Sequence, residues 1–193
     1  MLIDRCLPSF DVSHVCEASV EAPQDETYAA IRETDLRDPV VNALFALREL
    51  PLRIARLARG QQSPPAPPKV AFGDIAHHVP GWLSLGEEPG VELVVGSVGR
   101  FWRRDYGGRP VTVEEFIPFN EPGYAKVALS LAVRPTDAGT MVRYEARTAT
   151  TDEAARRKFR RYWRLIRPGV ALVMRRALRR IKAAAERRAA VPA

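Results

Sequence analysis

The sequence predicts an α+β fold in which a curved antiparallel sheet wraps around one long C-terminal helix, with two or three short helices between the first and second strands. Three observations carry this. Short apolar segments between residues 82 and 150 are separated by turn formers, an apolar stripe at helical spacing occupies residues 159–181, and short helical patterns divide an N-terminal strand from the rest. A chain of 193 residues fits one domain, residues 1–193, with a core from about 10 to 188.

The elements follow in order. In residues 14–22, His14, Cys16, Ala18, Val20 and Ala22 fall on one side while Glu17, Ser19 and Glu21 fall on the other, the alternation of a half-buried strand. Pro23, Asp25 and Glu26 then start a short helix whose inner face holds Tyr28 and Ile31. Asp38-Pro39 starts a second helix, since the Asp oxygen accepts an orphan N–H and proline lacks one. Four prolines between Gly60 and Lys69 rule out helix, so 60–69 is an extended loop.

Five strands are expected in the middle of the chain: Trp82 to Leu85, Val91 to Trp102, Val111 to Ile117, Tyr124 to Arg134 and Thr140 to Thr150. Their short connections imply an antiparallel meander. Val127, Leu129, Leu131 and Val133 share one face against Lys126, Ala128, Ser130 and Arg134, so one sheet face is expected to be covered and the other wet. Thr151-Asp152-Glu153 caps the final helix, where Phe159, Trp163, Ile166, Val170, Met174, Ala177 and Ile181 recur at steps of three and four. About thirty residues at roughly 1.5 Å each span some 45 Å, enough to cross a whole sheet.

Composition excludes several classes of protein. With 46% apolar and 27% charged residues the chain is neither disordered nor fibrous. Met1-Leu2-Ile3 runs straight into Asp4-Arg5 without the apolar core of a secretion signal, and no run approaches the roughly 20 residues of a membrane span, so a cytoplasmic protein is expected. Cys6 and Cys16 lack metal-ligand spacing and read as packing residues. The net charge of +7 is uneven: residues 156–188 carry +13 and the remainder −6, which marks the last helix as strongly cationic.

Strand, short helices, meander and long helix, in that order, resemble the SRPBCC superfamily of START, Bet v 1-like and polyketide cyclase-like domains. Val20-Glu21-Ala22-Pro23 leading into Thr27-Tyr28-Ala29-Ala30-Ile31 looks like the first strand and helix of that family. Gly96 to Trp102, Glu121 to Lys126, and Tyr144 to Arg147 with Phe159 to Trp163 look like an uncharacterised bacterial branch of it. The resemblance runs from about residue 10 to 188. It implies a helix-grip fold with a cavity between sheet and long helix, used across the family for lipids, sterols and polyketides. No catalytic residues are common to the superfamily, so it assigns none here.

The expected function is therefore binding of a small hydrophobic or amphipathic ligand, lipid- or polyketide-like, in that cavity. Aromatic and apolar side chains on the inward faces are its candidate contacts: Trp82, Phe101, Trp102, Phe116, Leu129, Leu131, Tyr144, Phe159, Trp163, Ile166, Val170 and Met174. The alternative is a cyclase- or hydrolase-like enzyme acting on such a ligand with His14, Tyr144, Glu145 or Arg147.

On the strand from Thr140, hydrophobicity turns Val142, Tyr144, Ala146 and Thr148 inward and leaves Glu145 and Arg147 in a solvent ladder; the opposite register would bury them as a charged pair. His77 and His78 point apart in an extended segment, and Glu114 and Glu115 do likewise in their strand, so neither pair forms a metal or carboxylate site. Gly96-Ser97-Val98-Gly99 lacks the strand-loop-helix context of a phosphate loop, so no nucleotide cofactor is expected.

The cationic face of the last helix, with Arg157, Arg161, Arg164, Arg175, Arg179 and Lys182, is expected outside as a basic ridge. It suits a merely solvated surface or an anionic membrane. Nucleic acid is disfavoured, since no exposed readers flank it. The oligomeric state is left open.

Overall fold

The computed structural model describes residues 1–36, 38–39, 71–103 and 105–190. The helix expected beyond Asp38-Pro39 and the proline-rich loop at 60–69 lie outside the described residues. In chain order the elements are α1 (Leu2–Cys6), β1 (Val12–Val20), α2 (Gln24–Glu33), a 3-10 turn (Phe72–Asp74) running into α3 (Ile75–His78), β2 (Trp82–Glu88), β3 (Glu92–Gly99), α4 (Val113–Phe116), β4 (Ala125–Thr136), β5 (Gly139–Thr150) and α5 (Glu153–Ala189). The sheet is antiparallel throughout, in the order β1-β5-β4-β3-β2, with α5 against one face: the helix-grip arrangement expected.

Helix α5 is 37 residues long, exceeding the expected thirty, and continues through Pro168. Asp152 caps it, accepting the Ala155 N–H at 2.7 Å and also that of Gly123. Along its C-terminal half, Met174, Ala177, Leu178, Ile181 and Ala185 are buried against Tyr28, Ile31, Leu131, Val133 and Val142. Polar ties fix the same half. Lys182 donates to the Ser19 carbonyl, Glu186 accepts the Glu21 N–H, and Arg188 pairs with both Glu26 and Glu33 of α2. No described helix is long and apolar enough to cross a membrane.

The second sheet face is not wet. Leu2, Ile3 and Cys6 of α1, with Leu7 just beyond it, cover that face together with Phe116, packing on Leu85, Val94, Val98 and Ala128. Ala128 and Ser130, expected in solvent, are buried, and β3 is buried along its whole length. Five helical residues distant in sequence thus add a third layer.

Residues 111–117 also depart from expectation, forming no strand. Thr112 and Glu115 make a reciprocal capping box, in which each side chain accepts the other residue's backbone N–H, and it starts α4. Helix α4 seats Phe116 over Gly96, where a Cβ would stand 2.6 Å from Leu85 and 3.1 Å from Phe116. That close approach, rather than a phosphate loop, accounts for glycine inside β3.

Candidate functional site

The strand registers arrange the helix-facing side chains in rows across the sheet. One row runs Val12, Thr148, Val127, Ser97 and Trp82; the next runs His14, Ala146, Leu129 and Val95; the third runs Cys16, Tyr144, Leu131 and Leu93. In the third row these four side chains are buried, and only Glu87, which continues the row on the edge strand β2, is exposed. In the first two, Val12, Val127, Trp82, His14, Ala146 and Leu129 are all only half-buried. Within the same two rows Val95, Ser97 and Thr148 are buried, with Ser97 Oγ donating to the Gly81 carbonyl at 2.8 Å.

The helix shows the same gradient. Its N-terminal half begins over these rows, since Arg156 pairs with Asp11 beside the start of β1, and Phe159 is buried there. From Tyr162 to Val173 the stripe residues Trp163, Ile166 and Val170 are only half-buried, and burial is regained at Met174. Trp163 stacks on Phe159 at 6.1 Å between ring centroids, and Val170, Trp82, Leu129 and Ala146 pack on the edge of the main core. Packing between sheet and helix is therefore complete at the C-terminal end of α5, while over the first two rows, the half-open rows below, several apolar side chains are only half-buried.

Two uncharged polar groups, Tyr144 and His14, stand beside these rows, while the charged Glu87 lies at the β2 end of the third, where it accepts from the Tyr28 hydroxyl. Tyr144 packs edge-on against Phe72 at 5.7 Å, and its hydroxyl has no hydrogen-bond partner among the described residues. Burial drives its ionisation far above the usual tyrosine range, so it is a proton donor. His14 lies in the adjacent row, with Nε2 3.7 Å from Cys16 Sγ. Burial, and then the positive charges of Arg167 and Arg175, hold its imidazole below the usual range and neutral at pH 7. Together they offer hydrogen bonds to a neutral polar group at the edge of an apolar surface.

Glu145 and Arg147 lie across the sheet from this pair. The register is the one hydrophobicity favoured, with Val142, Tyr144, Ala146 and Thr148 toward α5, yet the charges are not in solvent: Glu145 is 2% and Arg147 7% exposed. The α1 layer covers them. Arg147 donates to Glu145 at 2.7 Å and to the Leu7 carbonyl at 3.2 Å and pairs with Asp4 at 2.8 Å, while Arg143 reaches the other Glu145 oxygen at 3.0 Å. They hold α1 to the sheet and are separated from the half-open rows by the sheet itself.

Among the candidate ligand contacts, Trp82, Leu129 and Val170 pack on the edge of the main core, while Trp163 and Ile166 are half-buried on α5. Leu131, Tyr144, Phe159 and Met174 are buried, and Phe101 turns back over Gly99 at the end of β3, with Trp102 half-buried in the turn that follows. Phe116 belongs to the opposite face. His77 and His78 sit in a helical turn rather than an extended segment, both exposed, and Glu115 is a capping residue. No group of three potential metal ligands occurs among the described residues. The registers, not the sequence, place Ser97 beside Trp82, with Val127 and Thr148 further along the same row.

Two surface grooves lie apart from these rows. One of about 630 Å³ is bordered by Asp25, Tyr28, Arg32, Glu33 and Asp74, and one of about 450 Å³ runs between α2 and α5 past Arg180, Arg187 and Arg188. Both are edged by charged side chains, and neither suits an apolar molecule.

No family model and no curated protein matches the chain. Similar solved structures include protein MLL2253 from Mesorhizobium loti, 11% identical, with a TM-score of 0.41 over 91% of this chain and 98% of that one. Protein CV1439 from Chromobacterium violaceum is 12% identical, with a TM-score of 0.43 over 91% and 99%. The di-domain ARO/CYC StfQ of the steffimycin biosynthetic pathway is 17% identical, with a TM-score of 0.44 over 93% of this chain and 52% of that one. No residue role passes from these structures to this chain.

Proposed function

We propose that the chain binds a small apolar or amphipathic molecule in the half-open space between the first two rows of the sheet and the N-terminal half of α5. The observation that carries this is the gradient of closure: one continuous apolar stripe on α5 is sealed from Met174 onward and left half-buried at Trp163, Ile166 and Val170. Apolar surface left open beside a sealed core is what a ligand of this class would cover. Tyr144, protonated and without a described partner, and neutral His14 would orient a hydroxyl or carbonyl group on it.

Native mass spectrometry before and after organic extraction, with a binding isotherm for the neutral dye Nile red, tests the reading. A co-purifying apolar molecule and a dye isotherm weakened about tenfold by Ala146→Phe are expected, because the added ring occupies the space. An unchanged isotherm in that variant would sink the proposal. Of the four candidates for a cyclase- or hydrolase-like reaction, His14 and Tyr144 lie on the side of this space, whereas Glu145 and Arg147 face the other way.

A further inference from the structure

Helix α5 carries a second apolar strip on the side turned from the sheet. Leu165 is 80% exposed and Leu172 36%. Seven residues apart they stand two turns from each other on one face, with exposed Pro168 between them. Around the strip the exposed side chains are cationic: Arg161 and Arg164 before it, Arg175 and Arg179 after it. None of these four meets a carboxylate within 4 Å among the described residues, whereas Arg156, Arg176 and Arg188, at the ends and flank of the helix, do. No acid interrupts the sequence from residue 154 to 185.

A single exposed leucine needs no explanation, but leucines set two turns apart among unneutralised arginines answer two requirements at once. Nucleic acid would neutralise the arginines and gain little from the leucines, and no exposed aromatic or amide side chain stands beside them on the strip to read bases. A second copy would bring its own cationic α5 and be repelled. An anionic bilayer satisfies both, with phosphates meeting guanidinium groups and leucines entering the boundary between headgroups and acyl chains.

We propose that α5 is a membrane-docking surface, lying in the interface of an anionic bilayer with Leu165 and Leu172 inserted and Arg161, Arg164, Arg175 and Arg179 on lipid phosphates. The strip faces away from the proposed ligand site, so docking stands without any bound ligand, and failure of one reading leaves the other intact.

Sedimentation of the full chain with vesicles of phosphatidylcholine alone, or mixed with phosphatidylglycerol, at low and physiological ionic strength, tests this. Expected is at least a ~tenfold preference for the anionic vesicles that weakens with salt and persists at physiological strength. Leu165→Gln with Leu172→Gln, and separately Arg161→Glu with Arg164→Glu, should each reduce that binding about tenfold while thermal unfolding stays put, since all four side chains are exposed. Equal binding to both vesicle types, or undiminished anionic binding in the leucine variant, overturns the proposal. So does duplex DNA that strips the protein from vesicles at physiological salt, which would assign the surface to nucleic acid.

Discussion

Glu92 Oε2 accepts the backbone N–H of Leu2 at 2.6 Å, ninety residues away, and the other carboxylate oxygen accepts from Ile3 at 3.1 Å and from Ser130 Oγ at 2.6 Å. A carboxylate that is 1% exposed thus binds the start of α1 to the middle of the sheet. Glu92→Ala should destabilise the chain by about 3 kcal/mol, because three donors lose their acceptor. Thermal unfolding should fall by roughly 6–12 °C, with Glu92→Gln in between. A change below about 0.5 kcal/mol in denaturant titration would show that α1 is not held this way.

Arg147→Met removes the bonds to Glu145, Asp4 and the Leu7 carbonyl and leaves Glu145 buried with Arg143 alone. The expected loss is about 3 kcal/mol, and Glu145→Leu added to it should restore at least half, since an apolar pair removes the stranded charge. Nile red binding should be the same in all these variants. A binding defect in Arg147→Met without a stability loss would instead give the pair a functional role.

Alkaline pH should destabilise the fold through two tyrosines. Burial raises Tyr144, and burial with the hydrogen bond to Glu87 raises Tyr28, both well above the ordinary value. Each is a group whose folded-state pKa is raised, so its contribution is complete below the unfolded value of about 10 and is lost as pH climbs past it. The unfolded chain then releases two protons that the folded chain retains. Ultraviolet titration should show two of the five tyrosines ionising only as the protein unfolds. All five ionising together near pH 10 in the folded protein would refute this. Tyr144→Phe should flatten the dependence and weaken binding of any co-purified ligand without lowering stability at pH 7, because the hydroxyl has no described partner to lose.

Thr112→Ala deletes half of the capping box that begins α4. About 1 kcal/mol is expected, read from the denaturation midpoint at constant slope. Thr112→Ser should restore it, since the same oxygen reaches the Glu115 N–H; equal loss in both variants would mean that the box does not hold Phe116 in place.

The elements visible in the sequence are those whose period is long enough to repeat. The stripe of α5 and the alternation of β5 recur often enough to set helix phase and strand face, and the structure turns Val142, Tyr144 and Ala146 inward accordingly. Helix α1 has too few residues to repeat, although Leu2, Ile3, Cys6 and Leu7 already show helical spacing. Without it, Glu145 and Arg147 look the same as a solvent ladder, because alternation tells which face a residue occupies and not what covers that face. Val111-Thr112-Val113 has β-branched character, yet the Thr-x-x-Glu pattern beside it was the truer signal. The half-open rows were beyond reach for another reason: which of Trp82, Leu129 and His14 share a neighbourhood depends on registers between strands far apart in sequence.

Three stacked layers also constrain the order in which the chain can assemble. The sheet is covered on one side by residues from the beginning of the chain together with Phe116, and on the other by α2, Phe72 and residues from its last fifth, so neither side is completed by neighbours in sequence alone. Such non-local closure predicts slow folding, with little to be gained from helix formation alone. While the chain emerges from a ribosome, α1 is already made when the meander appears, but the opposite apolar face must wait until α5 is available. Its aggregation hazard is therefore concentrated in biosynthesis rather than in the finished molecule.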